Sequence, residues 1–193
     1  MSLIKLTRNN ILKYDNFKIV NLNYNYKDLH TCFLKDNTGR FMENIWKSSF
    51  VYPTINACKH KKWGMTIWNH DQETHLKDDK ITNEYYLWRK KLLNNKFPIK
   101  YPVGYSNRNK YEFILYNDKK YDNLSDAFNE IHTPIYCELV KSKSRFIELK
   151  SQYKNGKNLL IISDDLPHEI SLFVENEKYN SPGFSLAVAL NSK

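Results

Sequence analysis

Residues 52–64 read YPTINACKHKKWG, and this stretch combines a helix start, a cluster of cations and an aromatic end. Pro53 keeps the residue before it out of the helical region, and the Thr54 hydroxyl can cap the first free amides of a helix. Gly64 supplies the stop, because glycine readily adopts the left-handed conformation that ends helices. The stretch therefore predicts a helix that presents Lys59 and Trp63, four residues apart, on one side.

Two interpretations of this predicted helix stay open. The free amides at a helix N-terminus bind anions, so Lys59, Lys62 and Trp63 would contact a phosphate-bearing ligand there. Alternatively, Trp63 closes the hydrophobic core and the lysines are solvated. Cys58 also has two interpretations, as a thiol nucleophile activated by its cationic neighbours or as a small apolar filler.

Upstream of this stretch the sequence indicates extended chain. Period-two alternation predicts a strand over residues 17–24, and a second strand over residues 31–35 follows a polar gap. Residues 36–39 have the composition of a turn, after which residues 41–50 are expected to return as extended chain. The first 50 residues are therefore predicted to be strand-rich.

Downstream, residues 65–80 are polar and irregular, which predicts a loop. Thr82 is placed to cap a helix over residues 83–93, in which apolar side chains repeat at helical spacing. Arg89 lies beside Trp88 on this helix, where aromatic stacking or an ion pair would account for it. The histidines of this region lack the spacing of metal ligands, so no metal site is predicted.

The segment 98–108, PIKYPVGYSNR, concentrates two prolines and a glycine in a chain that has few of either. Such a backbone is typical of a loop that lines a site. Tyr101 and Tyr105 would stack on a base, and Arg108 would neutralise a phosphate. The alternative is a plain bend between a helix and a strand.

The remaining elements complete a prediction of the fold class. A strand is expected at 111–116, a helical stretch from Ser125 that Pro134 kinks or splits, a helix at 144–154, a fully buried strand at 159–162 and a short terminal helix. The sequence thus predicts an α+β fold, a single compact domain with helices packed around a small mixed sheet. In this domain residues 51–193 form a helical core with the buried strand near 159–163.

Asp164 and Asp165 follow that buried strand directly. Ligands commonly bind at the carboxyl ends of strands in sheets flanked by helices. A carboxylate pair there would orient a ribose hydroxyl or act as general acid or base. Acidic residues are also routine turn formers at strand ends, so both interpretations stay open.

The chain of 193 residues is strongly basic, with a net charge of +9 and a sequence pI near 9.3. This charge would attract phosphates or nucleic acid. Its richness in Lys, Asn, Ile and Tyr is also what an AT-rich coding sequence yields. Because the excess is mostly lysine, and readers of base sequence favour the guanidinium group, we expect the few arginines to act as individual phosphate or carboxylate ligands.

Three widely spaced cysteines indicate free thiols in a reducing compartment. No apolar run approaches the roughly 18 residues that a membrane span needs. The first ten residues lack the apolar region of a secretory signal. The prediction is an intracellular, cytoplasmic protein with no membrane partner and no cofactor.

The order of elements and two short motifs resemble the NADAR (YbiA-like) superfamily over about residues 45–190. In that family a segment Trp-Pro-Thr-x-Glu-His continues to a Gln-Ala-x-Lys helix. Here residues 52–54 match, and the residues that follow are likewise cationic. The later run DAFNEIHTPIY, residues 126–136, is similar to a helix found in relatives of that superfamily.

This resemblance implies an enzyme that handles ADP-ribose or related nucleotides, including cleavage of an N-glycosidic bond. Asn56 stands where the family has the glutamate of that chemistry, and an amide can neither carry its charge nor accept its proton. The catalytic carboxylate must then come from Glu43, Asp164 or Asp165. The segment that holds Asn56 is expected to bind the ligand.

The leading hypothesis is therefore an N-glycosidase-like hydrolase that acts on a nucleotide or an ADP-ribosyl substrate. An aspartate would stabilise the ribosyl cation and activate water, while Lys62 and Arg108 would hold phosphates. The residues expected to stack on the base are Trp46, Trp63, Tyr101 and Tyr105. The alternative is a non-catalytic basic module that binds nucleic acid or a nucleotide. Its cationic face would comprise Lys59, Lys61, Lys62, Arg89 and Lys90.

Overall fold

The computed structural model describes residues 17–163 and 181–192. Helices and short strands are both present, which confirms the predicted α+β class. The strands are β1 (Lys18–Asn21), β2 (Phe50–Val51), β3 (Thr54–Ile55), β4 (Cys58–Lys62), β5 (Met65–His70), β6 (Glu73–Thr74), β7 (Leu76–Lys77), β8 (Lys80–Ile81), β9 (Phe113–Tyr116), β10 (Lys119–Tyr121) and β11 (Leu159–Ile162).

The helices follow the sequence prediction closely in the second half of the chain. They are α1 (Met42–Lys47), α2 (Asn83–Leu93), α3 (Leu124–Ala127), α4 (Thr133–Val140), α5 (Ser144–Lys154) and α6 (Pro182–Asn191). Short 3₁₀ turns occur at Lys27–Leu29 and Tyr105–Asn107, and Phe128–His132 is π-helical.

Contacts between Cα atoms divide the chain into two compact units. Residues Thr31–His132 form one unit, called the middle unit here. Met1–His30 and Thr133–Lys193 form the other, called the terminal unit because both ends of the chain belong to it.

Two strands that are far apart in sequence pair in parallel within the terminal unit. Lys18 lies opposite Leu159, and the register continues through all four pairs of β1 and β11. Leu160 is buried but its neighbours in β11 are half-buried, so the prediction of a fully buried strand is wrong. α6 packs against α4 and α5, and the Tyr136 hydroxyl donates to the Leu29 carbonyl at 2.7 Å within this core.

The middle unit contains a three-stranded antiparallel sheet in the order β10-β9-β2. α1 contacts α2, and the fully buried Asn44 on α1 holds the chain that follows α2. Its side chain donates to the Phe97 carbonyl at 2.9 Å and accepts from the Ile99 amide at 2.8 Å. The Tyr85 hydroxyl donates to the Ser48 carbonyl at 3.1 Å, which ties α2 to the end of α1.

The predictions of secondary structure fail mainly in the first half of the chain. The stretch 41–50, predicted to be extended, contains α1, and the predicted loop 65–80 contains β5, β6 and β7. The predicted strand 31–35 is reduced to one bridge between Lys35 and Phe41. The described strands form small separate sheets and not one mixed sheet, and they extend well beyond residue 50. Strands of two residues are too short to show an alternating pattern, so only their pairing partners define them.

The predicted third helical stretch is not split, because α3, Phe128–His132 and α4 follow one another without a gap. Pro134 is the second residue of α4. It lacks the N–H that would bond to the carbonyl four residues earlier, at Glu130. Glu130 lies inside the π-helical segment Phe128–His132, and α4 begins immediately after it. A local π-helical widening thus accompanies the missing hydrogen bond.

Candidate functional site

Residues 58–70 form a β-hairpin, so the helix predicted for residues 52–64 is wrong. β4 and β5 pair in antiparallel register along their whole length. The two connecting residues, Trp63 and Gly64, both have positive φ angles, 52° and 81°, as in a type I′ hairpin turn. A left-handed glycine fits the end of a helix and the turn of a hairpin equally well, and the pairing with β5 decides between them.

The two sides of this hairpin differ in chemistry. The inward side carries Cys58, His60, Trp68 and His70. The other side is exposed, with Lys59 opposite Asn69 and Lys61 opposite Thr66. Ile67 is an extra residue on β5 at this point, a β-bulge that increases the local twist. Lys62 alternates to the side of His60 but is exposed near the tip. We call Lys59, Lys61, Lys62 and Trp63 together the hairpin surface.

Trp63 stands at the tip of the hairpin and is 89% exposed. The other three tryptophans of the chain, Trp46, Trp68 and Trp88, are at most 7% exposed. Large aromatic residues carry most of their stabilising effect through burial, and Trp63 contributes almost none. The Trp63 ring, between Lys62 and a glycine, is accessible to a binding partner.

A groove of about 580 Å³ lies between β5 and the C-terminal part of α2. It is lined by Thr66, Ile67, Leu87, Lys90, Lys91, Asn94, Asn95, Lys96 and Phe97. The Asn95 side chain donates to the carbonyl of the bulged Ile67 at 2.8 Å, which joins the helix end to the hairpin. Lys91 donates to the Asn69 carbonyl and lies over the Trp68 ring.

The lysines of the hairpin surface and of the groove differ from other lysines of the middle unit in their ion pairing. Within the described ranges 17–163 and 181–192, no ion pair involves Lys59, Lys61, Lys62, Lys90, Lys91 or Lys96. Lys119 and Lys120 in the same unit differ, because they pair with Glu130 and Asp122. Positive charge is therefore concentrated along β4 and the end of α2.

The loop that carries Tyr101 is held against the inward side of the hairpin by its carbonyl groups. His60 Nε2 lies 2.8 Å from the Tyr101 carbonyl oxygen. The Pro102 carbonyl accepts from Trp68 Nε1 at 2.7 Å and lies 2.9 Å from His70 Nε2. Three ring nitrogens of the hairpin thus fix two successive residues of the loop.

This loop brings together Tyr101, Tyr105 and Arg108. The Tyr101 and Tyr105 rings meet edge to face, with centroids 5.1 Å apart. The Arg108 guanidinium carbon lies 3.7 Å from the Tyr105 ring centroid, and Arg108 Nη1 donates to the Tyr105 carbonyl at 2.8 Å. Tyr105 remains 61% exposed.

Cys58 is not arranged as a nucleophile. Its Sγ lies 3.3 Å from His60 Nε2, which suggests a thiol and a base, but the same nitrogen faces the Tyr101 carbonyl. A carbonyl oxygen only accepts, so Nε2 carries a hydrogen and has no lone pair for the thiol proton. Burial raises the pKa of the Cys58 thiol despite an opposing hydrogen bond from the Gly104 backbone. The thiol is therefore the form present at neutral pH.

The other residues predicted for the site lie elsewhere or cannot be placed. Glu43 is buried on α1, where the Thr31 hydroxyl donates to it at 2.8 Å, and Trp46 packs edge to face against Phe50 and Phe128 in the core. Asn56 is exposed between β3 and β4, and Arg89 on α2 does not line the groove. Asp164 and Asp165 lie outside the described residues.

Comparison with known proteins finds no protein-family model, no curated protein and no solved structure that matches this chain. In the part of the chain that the structure describes, no three His, Cys, Asp or Glu side chains are grouped to hold a metal ion. None of the helices in that part combines the length and the apolar character that a membrane crossing requires.

Sequence reasoning missed the groove and its residues Lys91, Lys96 and Thr66. Lysines in the last turn of a helix are ordinarily explained by the helix dipole, so Lys91 carried no separate signal. The hairpin did leave a signal, because cationic and partly buried residues alternate from Cys58 to Lys61. That period of two, followed by Gly64, indicates a strand and a turn.

Proposed function

We propose that the middle unit binds single-stranded nucleic acid through the hairpin surface and the adjoining groove. The observation that carries this proposal is Trp63, an exposed tryptophan at the tip of a lysine-bearing hairpin. Aromatic side chains on which unpaired bases stack, next to cations that follow the phosphate backbone, are the two parts from which single-strand sites are built. This corresponds to the non-catalytic alternative considered from the sequence.

The conformation of Trp63 supports a role for its ring outside the fold. Residues with side chains other than Gly, Asn or Asp adopt a positive φ at a cost of roughly 1–2 kcal/mol. Trp63 has a φ of 52°, and with 89% exposure it recovers little of that cost by packing. Strained residues of this kind cluster at binding and active sites, where the strain serves a function.

The lysines support a phosphate backbone as the ligand. Lys61 lies opposite Thr66, a residue that lines the groove, so the hairpin surface and the groove are contiguous. Between the lysines stand polar groups such as Thr66, Asn69 and Asn94, which offer hydrogen bonds to sugars and bases. An anionic membrane would favour a broader apolar patch than Trp63 and Met65 present at the tip.

Cleavage of an N-glycosidic bond stays a prediction from the resemblance. Its expected binding helix is a strand in the structure, and Glu43 is engaged by Thr31 inside the fold. Asp164 and Asp165 lie outside the described residues, so their geometry supplies no support. The hairpin surface and the groove therefore carry the proposal.

The test is fluorescence anisotropy of a labelled twelve-nucleotide oligothymidylate over a series from about 50 to 200 mM salt. The logarithm of the binding constant should fall linearly with the logarithm of the salt concentration. Lys61→Gln/Lys62→Gln should reduce that slope by about 1.4, because each lost phosphate contact contributes about 0.7 for a single strand. The matched control is Lys119→Gln/Lys120→Gln, which removes two lysines that are already paired with carboxylates.

Trp63→Ala should weaken binding by about 5- to 150-fold, the effect of losing one stacked base. Because the other tryptophans are buried, the fluorescence that acrylamide quenches belongs to Trp63, and the oligonucleotide should protect it. Duplex DNA and vesicles containing phosphatidylserine serve as competitors. Equal binding by wild type and both variants, or preferential binding to the vesicles, would overturn the proposal.

A further inference from the structure

The loop between α2 and β9 presents an arginine and a tyrosine that are already stacked. Arg108 lies over the Tyr105 ring at 3.7 Å from its centroid, and its Nη1 is held by the Tyr105 carbonyl. This contact leaves the other guanidinium N–H groups available in a fixed fork. Such preorganisation lowers the entropy lost when a planar or anionic group binds.

The loop is built to hold this pair in place. Gly104 precedes the Tyr105–Asn107 turn with a φ of 81°, a conformation that glycine adopts without strain. The Asn107 side chain donates to the Val103 carbonyl at 3.1 Å, which closes the loop on itself. Tyr101 supports the Tyr105 ring from the side, at 5.1 Å between centroids.

The same loop is fixed to the hairpin whose tip carries Trp63. His60 contacts the Tyr101 carbonyl, and Trp68 and His70 contact the Pro102 carbonyl. His60 precedes Trp63 by three residues, and a strand rises about 3.3 Å per residue, so the anchored end of the loop lies about 10 Å from the tip along β4. The loop that carries Tyr105 is therefore tied by these three contacts to the hairpin that carries Trp63.

We infer that Tyr105 and Arg108 form a second nucleotide site for the same strand whose base stacks on Trp63. In this site the exposed ring of Tyr105 stacks on a base, and the Arg108 fork binds the neighbouring phosphate. The inference rests on the proposed function and deepens it, because two stacking positions select an unpaired strand of several nucleotides. A paired duplex offers no free base faces at two internal positions.

Substitutions at Arg108 and Tyr105 distinguish this site from a surface that binds through positive charge alone. A lysine at position 108 would keep the charge but lose both the stacking and the two parallel hydrogen bonds to phosphate. A phenylalanine at position 105 would keep the stacking face. Arg108→Lys is therefore expected to behave like Arg108→Gln, and Tyr105→Phe like the wild type.

The experiment measures binding of the full chain to oligothymidylates of increasing length at constant salt. Tyr105→Ala should weaken binding to the twelve-nucleotide strand by about 5- to 150-fold. Tyr105→Ala should not change the affinity for the shortest oligothymidylate whose binding is weakened by Trp63→Ala. Tyr24→Ala, which removes a 77% exposed tyrosine in the terminal unit, is the control and should bind as the wild type does. Circular dichroism establishes that each variant is folded.

The outcomes distinguish this inference from the function on which it rests. If Trp63→Ala weakens binding while Tyr105→Ala and Arg108→Gln bind the long strand like the wild type, the second site does not exist and the proposed function stands. If Arg108→Lys retains full affinity, Arg108 acts only as a charge and the stacked site is refuted. If neither Trp63 nor the hairpin lysines affect binding, the proposed function itself fails.

Discussion

Trp63 occupies a turn position at which asparagine is the most favourable residue, because the first residue of a type I′ turn has a positive φ. Trp63→Asn should therefore raise the free energy of unfolding by about 1 kcal/mol, since it relieves the left-handed strain and sacrifices almost no packing. Urea denaturation followed by far-UV circular dichroism measures the change. The same variant should lose the stacking contribution to binding, so stability and affinity move in opposite directions.

Trp63→Ala is the matched control for this prediction. Alanine removes the ring but keeps a residue that disfavours positive φ, so no gain in stability is expected. A Trp63→Asn variant less stable than the wild type would show that the tryptophan ring contributes packing, contrary to its exposure of 89%.

His75 is a buried ionisable residue in the core of the middle unit. It is fully inaccessible to solvent, and its ring contacts the rings of Tyr85 and Trp88. Its Nε2 lies 3.2 Å from a Glu73 carboxylate oxygen, while its Nδ1 has no hydrogen-bond partner among the described residues. Burial, with a smaller contribution from the charge of His70, lowers the pKa of His75 to about 4.

This lowered pKa makes the stability of the protein depend on pH. Above the unfolded value of 6.5 the imidazole is neutral in both states and His75 has no effect. As the pH falls from 6.5 to about 4, the unfolded chain takes up a proton that the folded chain excludes, so stability is lost. A shift of this size corresponds to about 3 kcal/mol at most.

His75→Phe tests this pH dependence by removing the titrating ring while keeping an aromatic side chain. The variant should lose stability less steeply than the wild type between pH 6.5 and 4, measured as the denaturation midpoint at each pH. Glu73 has the opposite effect on the pH dependence of stability. Burial raises the pKa of its carboxyl group, so the stability that Glu73 contributes is lost as the pH rises. Parallel stability curves for the two proteins would contradict the assignment to His75.

Among the secondary-structure elements, α2 depends on the side chain that caps it. Thr82 Oγ1 accepts from the Tyr85 amide at 3.4 Å and donates to the Thr74 carbonyl at 2.6 Å, so it joins the start of α2 to β6. Thr82→Ala should cost about 1–2 kcal/mol of stability, because it removes a cap and the hydrogen bond to the Thr74 carbonyl. Thermal unfolding of the variant measures this loss.

Thr82→Ser supplies the comparison, since serine retains the capping hydroxyl and should restore most of the stability. Thr82 lies at the opposite end of α2 from the groove, so nucleic-acid binding by the folded Thr82→Ala variant should be unchanged. Equal stability of the alanine variant and the wild type would mean that the cap is dispensable.

Helices with local signals were predicted with the bounds that the structure shows. α2 and α5 begin and end where the sequence indicated, because an apolar period and terminating residues lie within or beside each element, and α2 also has the Thr82 cap. The hairpin of β4 and β5 was missed because Pro53, Thr54 and Gly64 were interpreted as the start and stop of a helix, although the alternation from Cys58 to Lys61 indicates a strand. Trp63 and Gly64 alone do not distinguish the end of a helix from a turn.

At the scale of the whole chain, the net charge of +9 is explained equally by coding bias and by selection for a polyanion. The structure adds where the charge lies. Along β4 and the end of α2, lysines stand together with no ion pair to a carboxylate of residues 17–163 or 181–192, whereas Lys119 and Lys120 are paired. The location of these lysines, and not the net charge of the chain, supports the proposal that the partner is a nucleic acid.

The sequence singled out individual residues of the candidate site but did not predict how they are arranged in space. Lys59, Lys62, Trp63, Tyr101, Tyr105 and Arg108 were all singled out from composition and turn chemistry. The structure places them on a hairpin and on a loop held by that hairpin. Glu43 and Trp46, singled out in the same way, belong to the core, because burial depends on packing partners that are distant in sequence.

The sequence by itself determined the α+β class, the capped helices and the aromatic and cationic residue types available for binding. These follow from local periodicity, capping and turn chemistry, which act over a few residues. Only the tertiary structure decided that residues 58–70 pair as strands, that β1 pairs with β11, and that Trp63 lies exposed while Trp46 is buried. The pairing of β1 with β11 and the burial of Trp46 are non-local, since each depends on partners far along the chain. The β4–β5 hairpin is local, but its turn residues fit a helix end equally well, and only the observed pairing decides between the two.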